Sequence, residues 1–233
     1  MMLESGNFLL AGASSGIGAA LKERLEKDGH RVYTIGRTPV SSSGHLTWDA
    51  SNEGPLTLPA SWPDVVHGFA YLPGTIQLKP FHRTSEQDFL QDFRINVLGF
   101  TLLLQTLLPS LKKAGKSSVV AFSTVAANTG LGFHSSIAAS KGALQSLCFS
   151  LASELAQAGI RVNCIAPSIT DTPLASALLN TPEKREASAK RHPLGRIGTA
   201  EDLAAAAAFL LSAEAGWITG QVLAADGGYS RLK

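Results

Sequence analysis

The sequence predicts a three-layer α/β/α fold around a doubly wound, mainly parallel sheet. Three observations carry that expectation. Short apolar strand candidates alternate with amphipathic helix candidates, the pattern of parallel strands joined by right-handed helical crossovers. A glycine-rich turn joins the first strand to the first helix. The 233 residues, 45% of them hydrophobic, suffice for one sizeable core, so 1–233 reads as a single domain.

The elements follow in order. Asn7–Ala11 is short and apolar, the first strand. Ile17–Lys27 reads as a helix with Ile17, Leu21 and Leu25 on one face, stopped by Gly29. Arg31–Ile35 returns as the second strand. Residues 36–67 are rich in Ser, Pro and Gly; a short strand is expected near Leu46–Trp48, and Pro55, Pro59 and Pro63 argue for a loop rather than a long crossover helix. Gly68–Leu72 is the next strand, ended by Pro73-Gly74. Ser85–Leu111 reads as a long helix bent near Gly99 and Pro109, and Ser118–Ser123 as an apolar strand. After a loop of small residues, Ser136–Ala158 is a second long helix, with Leu144, Leu147, Leu151 and Leu155 on its apolar face. Gly159 stops it, Arg161–Ile165 is a strand, Pro182–Lys190 and Glu201–Leu211 are helices, and Gln221–Ala224 is the last strand.

Composition narrows the function classes. Twenty Lys and Arg against 18 Asp and Glu leave a net charge of +2, too balanced for a nucleic-acid footprint. Six scattered histidines show no metal-ligand spacing with the cysteines, so no metal site is expected. Cys148 and Cys164 both lie in apolar surroundings and read as buried free thiols, which suits a reducing, cytoplasmic compartment. The N-terminus lacks the basic region and apolar run of a secretory signal, and no uninterrupted apolar stretch is long enough for a membrane span. The expected partner is a small molecule.

The turn Gly12-Ala13-Ser14-Ser15-Gly16-Ile17-Gly18 follows a strand and opens a helix, and that context makes it a dinucleotide-site candidate. Gly12 permits the tight turn, and Gly16 admits a pyrophosphate to the helix-terminal N–H groups. Gly18 lets the helix pack closely on the sheet. Ser14, Ser15 and Ile17 complete the phosphate-facing turn. Past the second strand, Gly36-Arg37 offers a cation where a site for the unphosphorylated ribose would offer an acid. Arg37 therefore favours the 2′-phosphate, and NADP(H) over NAD(H). Asp49 is placed either to contact the adenine edge or to cap a turn.

Together these segments resemble the classical short-chain dehydrogenase/reductase family, a Rossmann-like fold. The resemblance covers nearly the whole chain: Gly12-x-x-x-Gly16-x-Gly18, Ile95-Asn96-Val97-Leu98-Gly99, Ala121-Phe122-Ser123-Thr124, Ala138-Ala139-Ser140-Lys141-Gly142-Ala143, Arg161-Val162-Asn163-Cys164-Ile165-Ala166-Pro167 and Asp226-Gly227-Gly228. It implies an active site of Asn, Ser, Tyr and Lys. Asn96 matches the Asn, Lys141 the Lys, and Thr124 the serine position with its hydroxyl kept. The tyrosine position is Ile137, which has no proton to give. His134 is the first choice for a surrogate. Ser135, Ser136 and Ser140 are nearby but are poor acids without activation, and Lys141 could donate directly or through water. Where the family has an Asn-Asn-Ala-Gly turn this chain has Tyr71-Leu72-Pro73-Gly74, which leaves Gly74 on the cofactor side.

The resemblance further implies that Pro167, Ile169 and Thr170 meet the nicotinamide end, and that about 168–200 forms a substrate lid. Leu174, Leu178 and Leu179 would be an apolar pocket wall. The long helices and the C-terminal segment imply a homodimer or homotetramer. Two functions stand against each other. One is an NADP(H)-dependent oxidoreductase on a small carbonyl, alcohol or activated double bond, with an atypical proton route. The other is a catalytically weak or inactive NADP(H)-binding sensor or assembly protein.

Overall fold

At the centre of the sheet, β1 (Asn7–Ala11) pairs in parallel with β2 (Arg31–Gly36) on one side and β4 (Gly68–Tyr71) on the other; Leu10 lies between Thr34 and Ala70. This computed structural model describes residues 5–52, 54 and 56–232; Pro55, one of the prolines expected to interrupt a helix, lies outside them. Adding β3 (Gly44–Thr47), β5 (Ser117–Phe122), β6 (Ile160–Pro167) and β9 (Val222–Ala225) gives a seven-stranded sheet of order β3-β2-β1-β4-β5-β6-β9, with every pairing parallel. The winding reverses between β1 and β4, which places a crevice at the carboxyl ends of those strands.

Alternating strand residues feed two cores. Leu9, Phe69, Tyr71, Val119, Ala121, Val162 and Cys164 point to one face. There they pack against α3 (Gly99–Lys113) and α5 (Ser135–Leu155) through Phe100, Leu103, Leu107, Leu144 and Cys148. Phe8, Leu10, Ala70, Val120, Phe122 and Ile165 point to the other face. That face is covered by α1 (Gly16–Lys27) and α7 (Ala200–Leu211) through Leu21, Leu25, Leu203, Ala207 and Leu210. A strand buried on both faces shows no in-out alternation. All six residues of β5 are buried, its apolar run Val119–Phe122 following two buried serines. Each fully buried Leu contributes about 1.5–3 kcal/mol to holding a helix on the sheet.

The long helix expected over Ser85–Leu111 is divided. It runs as α2 (Glu86–Phe93), a π-helical turn at Arg94–Leu98, and α3. The interruption falls just before Gly99, and Pro109 sits inside α3 without ending it. Tertiary contacts explain the division. The buried Tyr71 hydroxyl donates to the Ile95 carbonyl, and Asn96 Nδ2 donates to the Asp92 carbonyl at 2.8 Å, so two backbone acceptors here take side-chain donors. A Cβ on Gly99 would lie 2.5 Å from the Tyr71 hydroxyl oxygen, which requires glycine there. The run Glu86–Lys113 contains an 18-residue stretch of mean hydropathy 1.3, long and apolar enough to cross a membrane by length and composition. Its Phe100, Leu103, Leu104, Leu107 and Leu111 are nevertheless spent on the core.

Other boundaries move by a few residues. β3 starts at Gly44, and β9 is shifted one residue toward the C-terminus. A single turn, α4 (Ala126–Thr129), forms in the loop of small residues. After β6 come a two-residue strand β7 (Thr170–Asp171), a 3₁₀ segment Pro173–Leu178, α6 (Pro182–Lys190), and β8 (Gly198–Thr199), which pairs with β7. Cys148 and Cys164 are buried free thiols, as expected.

Candidate active site

The loops that leave the carboxyl ends of β1 to β6 line one cleft of about 850 Å³. At one end is the glycine turn. Gly12 adopts φ +82°, and its N–H donates to the Ile35 carbonyl at 2.9 Å, fixing the turn to the second strand. A Cβ on Gly18 would stand 2.1 Å from the Gly12 carbonyl oxygen, so α1 meets the turn with no room for a side chain. Ser15 is the N-cap residue in extended conformation, and its side chain caps no helical N–H. The first N–H groups of α1 are thus left facing the cleft beside Ser14, Ser15, Gly16 and Ile17, an arrangement that suits an anion.

Arg37 is exposed on the cleft rim just past β2. Asp49 lines the cleft and also closes a turn, accepting from Ser51 N at 2.8 Å and Ser51 Oγ at 2.7 Å. Those bonds, with the Arg37 charge adding to them, hold its carboxyl below the usual carboxylate range. Both roles considered for Asp49 are therefore compatible with its position.

At the other end, Thr124 lies two residues beyond β5 and accepts from Ala126 N at 3.2 Å. Ile137, on the first turn of α5, is only 4% exposed and lines the cleft. One turn later Lys141 Nζ donates to the Phe122 carbonyl at 2.6 Å. Burial pushes its ammonium down to about 8, against the opposing pull of neighbours that include the Asp92 charge. Gly74 sits in front: a Cβ there would be 3.5 Å from both Lys141 Nζ and Asn96 Oδ1.

Some expected residues stand elsewhere. Asn96 is fully buried and behind the wall rather than on it, and its Oδ1 has no hydrogen-bond partner among the described residues. Ser136 Oγ donates to Asp92 Oδ2 at 2.7 Å and Ser140 Oγ to the Ile137 carbonyl at 3.1 Å, so neither hydroxyl is turned to the cleft. His134 does line it, with Nδ1 2.6 Å from the Gly132 carbonyl. Leu174 and Leu178 form part of the wall, but Leu179 is buried away from it. Pro167, Ile169 and Thr170 line the cleft, and the Thr170 hydroxyl donates to the Ser168 carbonyl at 3.1 Å.

Sequence reasoning missed four residues. Asp92 is wholly buried and accepts from the hydroxyls of Thr75 and Ser136, tying the β4 loop to the start of α5. In the sequence it is one acid among several on an amphipathic helix. Ser168, His192 and Tyr229 meet in the cleft from three separate segments, and no spacing announces them.

A family model described as enoyl-(acyl carrier protein) reductase matches residues 64–230. A tropinone reductase homologue from Arabidopsis thaliana is 31% identical over 244 residues, covering 97% of this chain and 93% of that protein. The ligand-free aldohexose dehydrogenase of Thermoplasma acidophilum superposes with a TM-score of 0.86 at 26% identity, over 97% of this chain and 94% of that one. A protein from Beutenbergia cavernae described as an NAD(P)-dependent gluconate 5-dehydrogenase, with NADP bound at low occupancy, gives 0.87 at 27% identity, over 98% of each chain. With the parallel sheet and the glycine turn in place, these likenesses settle the family: the chain belongs to the short-chain dehydrogenase/reductase family of oxidoreductases.

Proposed function

We propose that the protein is an NADP(H)-dependent oxidoreductase acting on a small carbonyl or alcohol, or on an activated double bond, by a proton route that bypasses residue 137. One observation carries this reading. A single continuous cleft joins the uncapped N-terminus of α1 and Arg37 to Thr124 and Lys141. The residues present fit a dinucleotide: Gly12 and Gly16 keep the turn free of side chains, and the α1 N–H groups are not taken by Ser15. When bound, the cofactor supplies or accepts hydride.

The chain's residues then divide the remaining work. The turn with Ser14, Ser15, Ile17 and Gly18 would hold the pyrophosphate, Arg37 the 2′-phosphate, and Asp49 the adenine edge. Lys141, behind Gly74, would hold the nicotinamide ribose. Pro167, Ile169 and Thr170 would position the nicotinamide end. Thr124 would orient the substrate oxygen, with Asn96 stiffening the helix behind it. Residues 168–200 would serve as the lid, since Leu174, Leu178 and His192 from this segment line the cleft. Ile137, 4% exposed on the cleft wall, fills its position with hydrocarbon. His134 borders the cleft, where its ring could serve as a proton donor. Buried free thiols support a reducing, cytoplasmic setting, and exposed Phe149 on α5 supports a homo-oligomer.

A second reading, a nucleotide-binding sensor without turnover, is favoured by Ile137 alone. It requires tight NADPH binding and no change in activity when Thr124 or His134 is replaced. The deciding test is calorimetric titration of the protein with NADPH and NADH, followed by a carbonyl panel. NADPH is expected to bind at least tenfold more tightly. Arg37→Ala is expected to remove about 1.4 kcal/mol or more of that affinity, tenfold, and leave NADH unchanged. Failure of both nucleotides to bind would sink the enzyme and sensor readings together.

A further inference from the structure

Ser168 is the first residue beyond β6, and Thr124 lies just beyond β5, its neighbour in the sheet. Phe122 faces Ile165 across the two strands, and Val125 N donates to the Pro167 carbonyl at 3.0 Å. The two hydroxyl-bearing residues therefore stand side by side at the carboxyl ends of adjacent strands, where ligands of such sheets bind. Both line the cleft, as does His192, which follows α6 and is 4% exposed.

The bonds of His192 fix its chemistry. Nδ1 is 2.8 Å from the Ser188 carbonyl oxygen. A carbonyl only accepts, so Nδ1 carries the hydrogen, and in the neutral ring Nε2 is a bare acceptor. Nε2 is 2.8 Å from Ser168 Oγ, so the serine donates to it. Protonating the ring reverses that bond: Nε2–H donates to Ser168, and the serine's own hydrogen is released toward the cleft. Asp226 brings a negative charge near the ring, its carboxylate held by Gly228 N and Ser230 N, each at 2.9 Å. The Tyr229 ring packs on His192 at 5.4 Å between centroids, and Arg191 and Lys184 border the same cleft as cations.

We propose that Ser168 and His192 form the proton relay that stands in for the missing phenol; this rests on the oxidoreductase reading above. In the reductive direction a bound reduced dinucleotide would supply hydride to the substrate carbon, and the carbonyl π pair would move onto oxygen. The Ser168 O–H bond breaks as its proton passes to that oxygen. The His192 Nε2–H bond breaks in turn and restores the serine hydroxyl. His192 ends neutral and regains a proton from solvent. Oxidation of an alcohol runs the same transfers backwards. Ser168 is the residue that touches substrate, and His192 acts through it.

Two measurements test the relay. Nitrogen-15 NMR of the nucleotide-free protein should show the neutral His192 ring with its hydrogen on Nδ1, and Ser168→Ala should shift the Nε2 resonance; a neutral ring protonated on Nε2 would overturn the proposal. In kinetics, Ser168→Ala should lower kcat for carbonyl reduction at least 100-fold, in the range general acids contribute, with the calorimetric NADPH Kd within twofold of wild type. His192→Gln should lower kcat similarly, again with the NADPH Kd within twofold of wild type. Wild-type turnover that survives Ser168→Ala within threefold, or that is lost in His134→Gln instead, overturns the relay and leaves the oxidoreductase reading standing. NADPH binding with no wild-type turnover overturns both.

Discussion

Lys141 shows how a single residue can work against stability and for binding. Its ammonium is buried and donates to the Phe122 carbonyl, and burial lowers its pKa from 10.5 to about 8. Below pH 8 both the folded and unfolded chains carry the charge, and the folded one bears the full desolvation cost. Between about 8 and 10.5 the folded state gives up the proton while the unfolded state keeps it, so stability rises with pH across that window. Lys141→Met should therefore stabilise the nucleotide-free protein at pH 7 by about 1–2 kcal/mol, once the lost bond to Phe122 is set against the relief. The gain should shrink towards pH 10.5, and NADPH binding should weaken. Urea unfolding at pH 7 and pH 10 checks this, and a destabilised variant at pH 7 would show that the charge is compensated. Lys141 was legible because its place in Ala138-Ala139-Ser140-Lys141-Gly142 matches the family pattern, as Arg37 was from its place after a strand. Asp92 and the Ser168–His192 pair were not, because only tertiary packing joins residues 24 positions apart.

At the scale of the element, the strand–turn–helix unit depends on Gly18 more than on either glycine at positive φ. Gly12 at φ +82° and Gly16 at φ +53° would strain an alanine, whereas on Gly18 a methyl would lie 2.1 Å from the Gly12 carbonyl and 2.9 Å from the Ala13 Cα. Backbone cannot step aside as a flexible side chain can, so α1 must lift off the turn. Gly18→Ala is expected to cost roughly 2–4 kcal/mol, at the severe end for one added methyl, and to abolish NADPH binding. Denaturant midpoints and calorimetry read both effects; a variant that binds NADPH normally would mean the turn relaxes without moving the helix. This turn, like β1, β5, α1 and α5, could be read in advance because apolar runs, glycine stops and a helical period are local properties. The π-helical turn at Arg94–Leu98 could not. It arises from the Tyr71 hydroxyl on β4 reaching the Ile95 carbonyl, a contact between separate elements. The β7–β8 pair is two residues long on each side, too short to leave any periodic trace.

For the whole molecule, the sheet ends in an edge that one chain leaves bare. β9 is last in the strand order; Leu223 upon it is 39% exposed, and Trp217 just before it is fully exposed. An uncovered edge beside a bare indole invites another chain, and the proposed homo-oligomer would cover it. Phe149, 48% exposed on α5, offers a second apolar contact on a different face. Two distinct patches fit a tetramer built from dimers with two kinds of interface, each closed by a two-fold axis. Light scattering of the wild type should then give about four times the 24.4 kDa chain mass. Trp217→Glu with Leu223→Lys should halve that mass, because both charges would be desolvated at the contact through β9. Phe149→Glu should also halve it, through the other face, and the combined variant should run as a monomer. The glycine turn, Arg37, Thr124 and Lys141 of a single chain all line the cleft, so NADPH affinity is expected to survive dissociation. A wild-type mass of one chain would show that the edge at β9 is tolerated bare, and loss of NADPH binding on dissociation would show that assembly shapes the cleft.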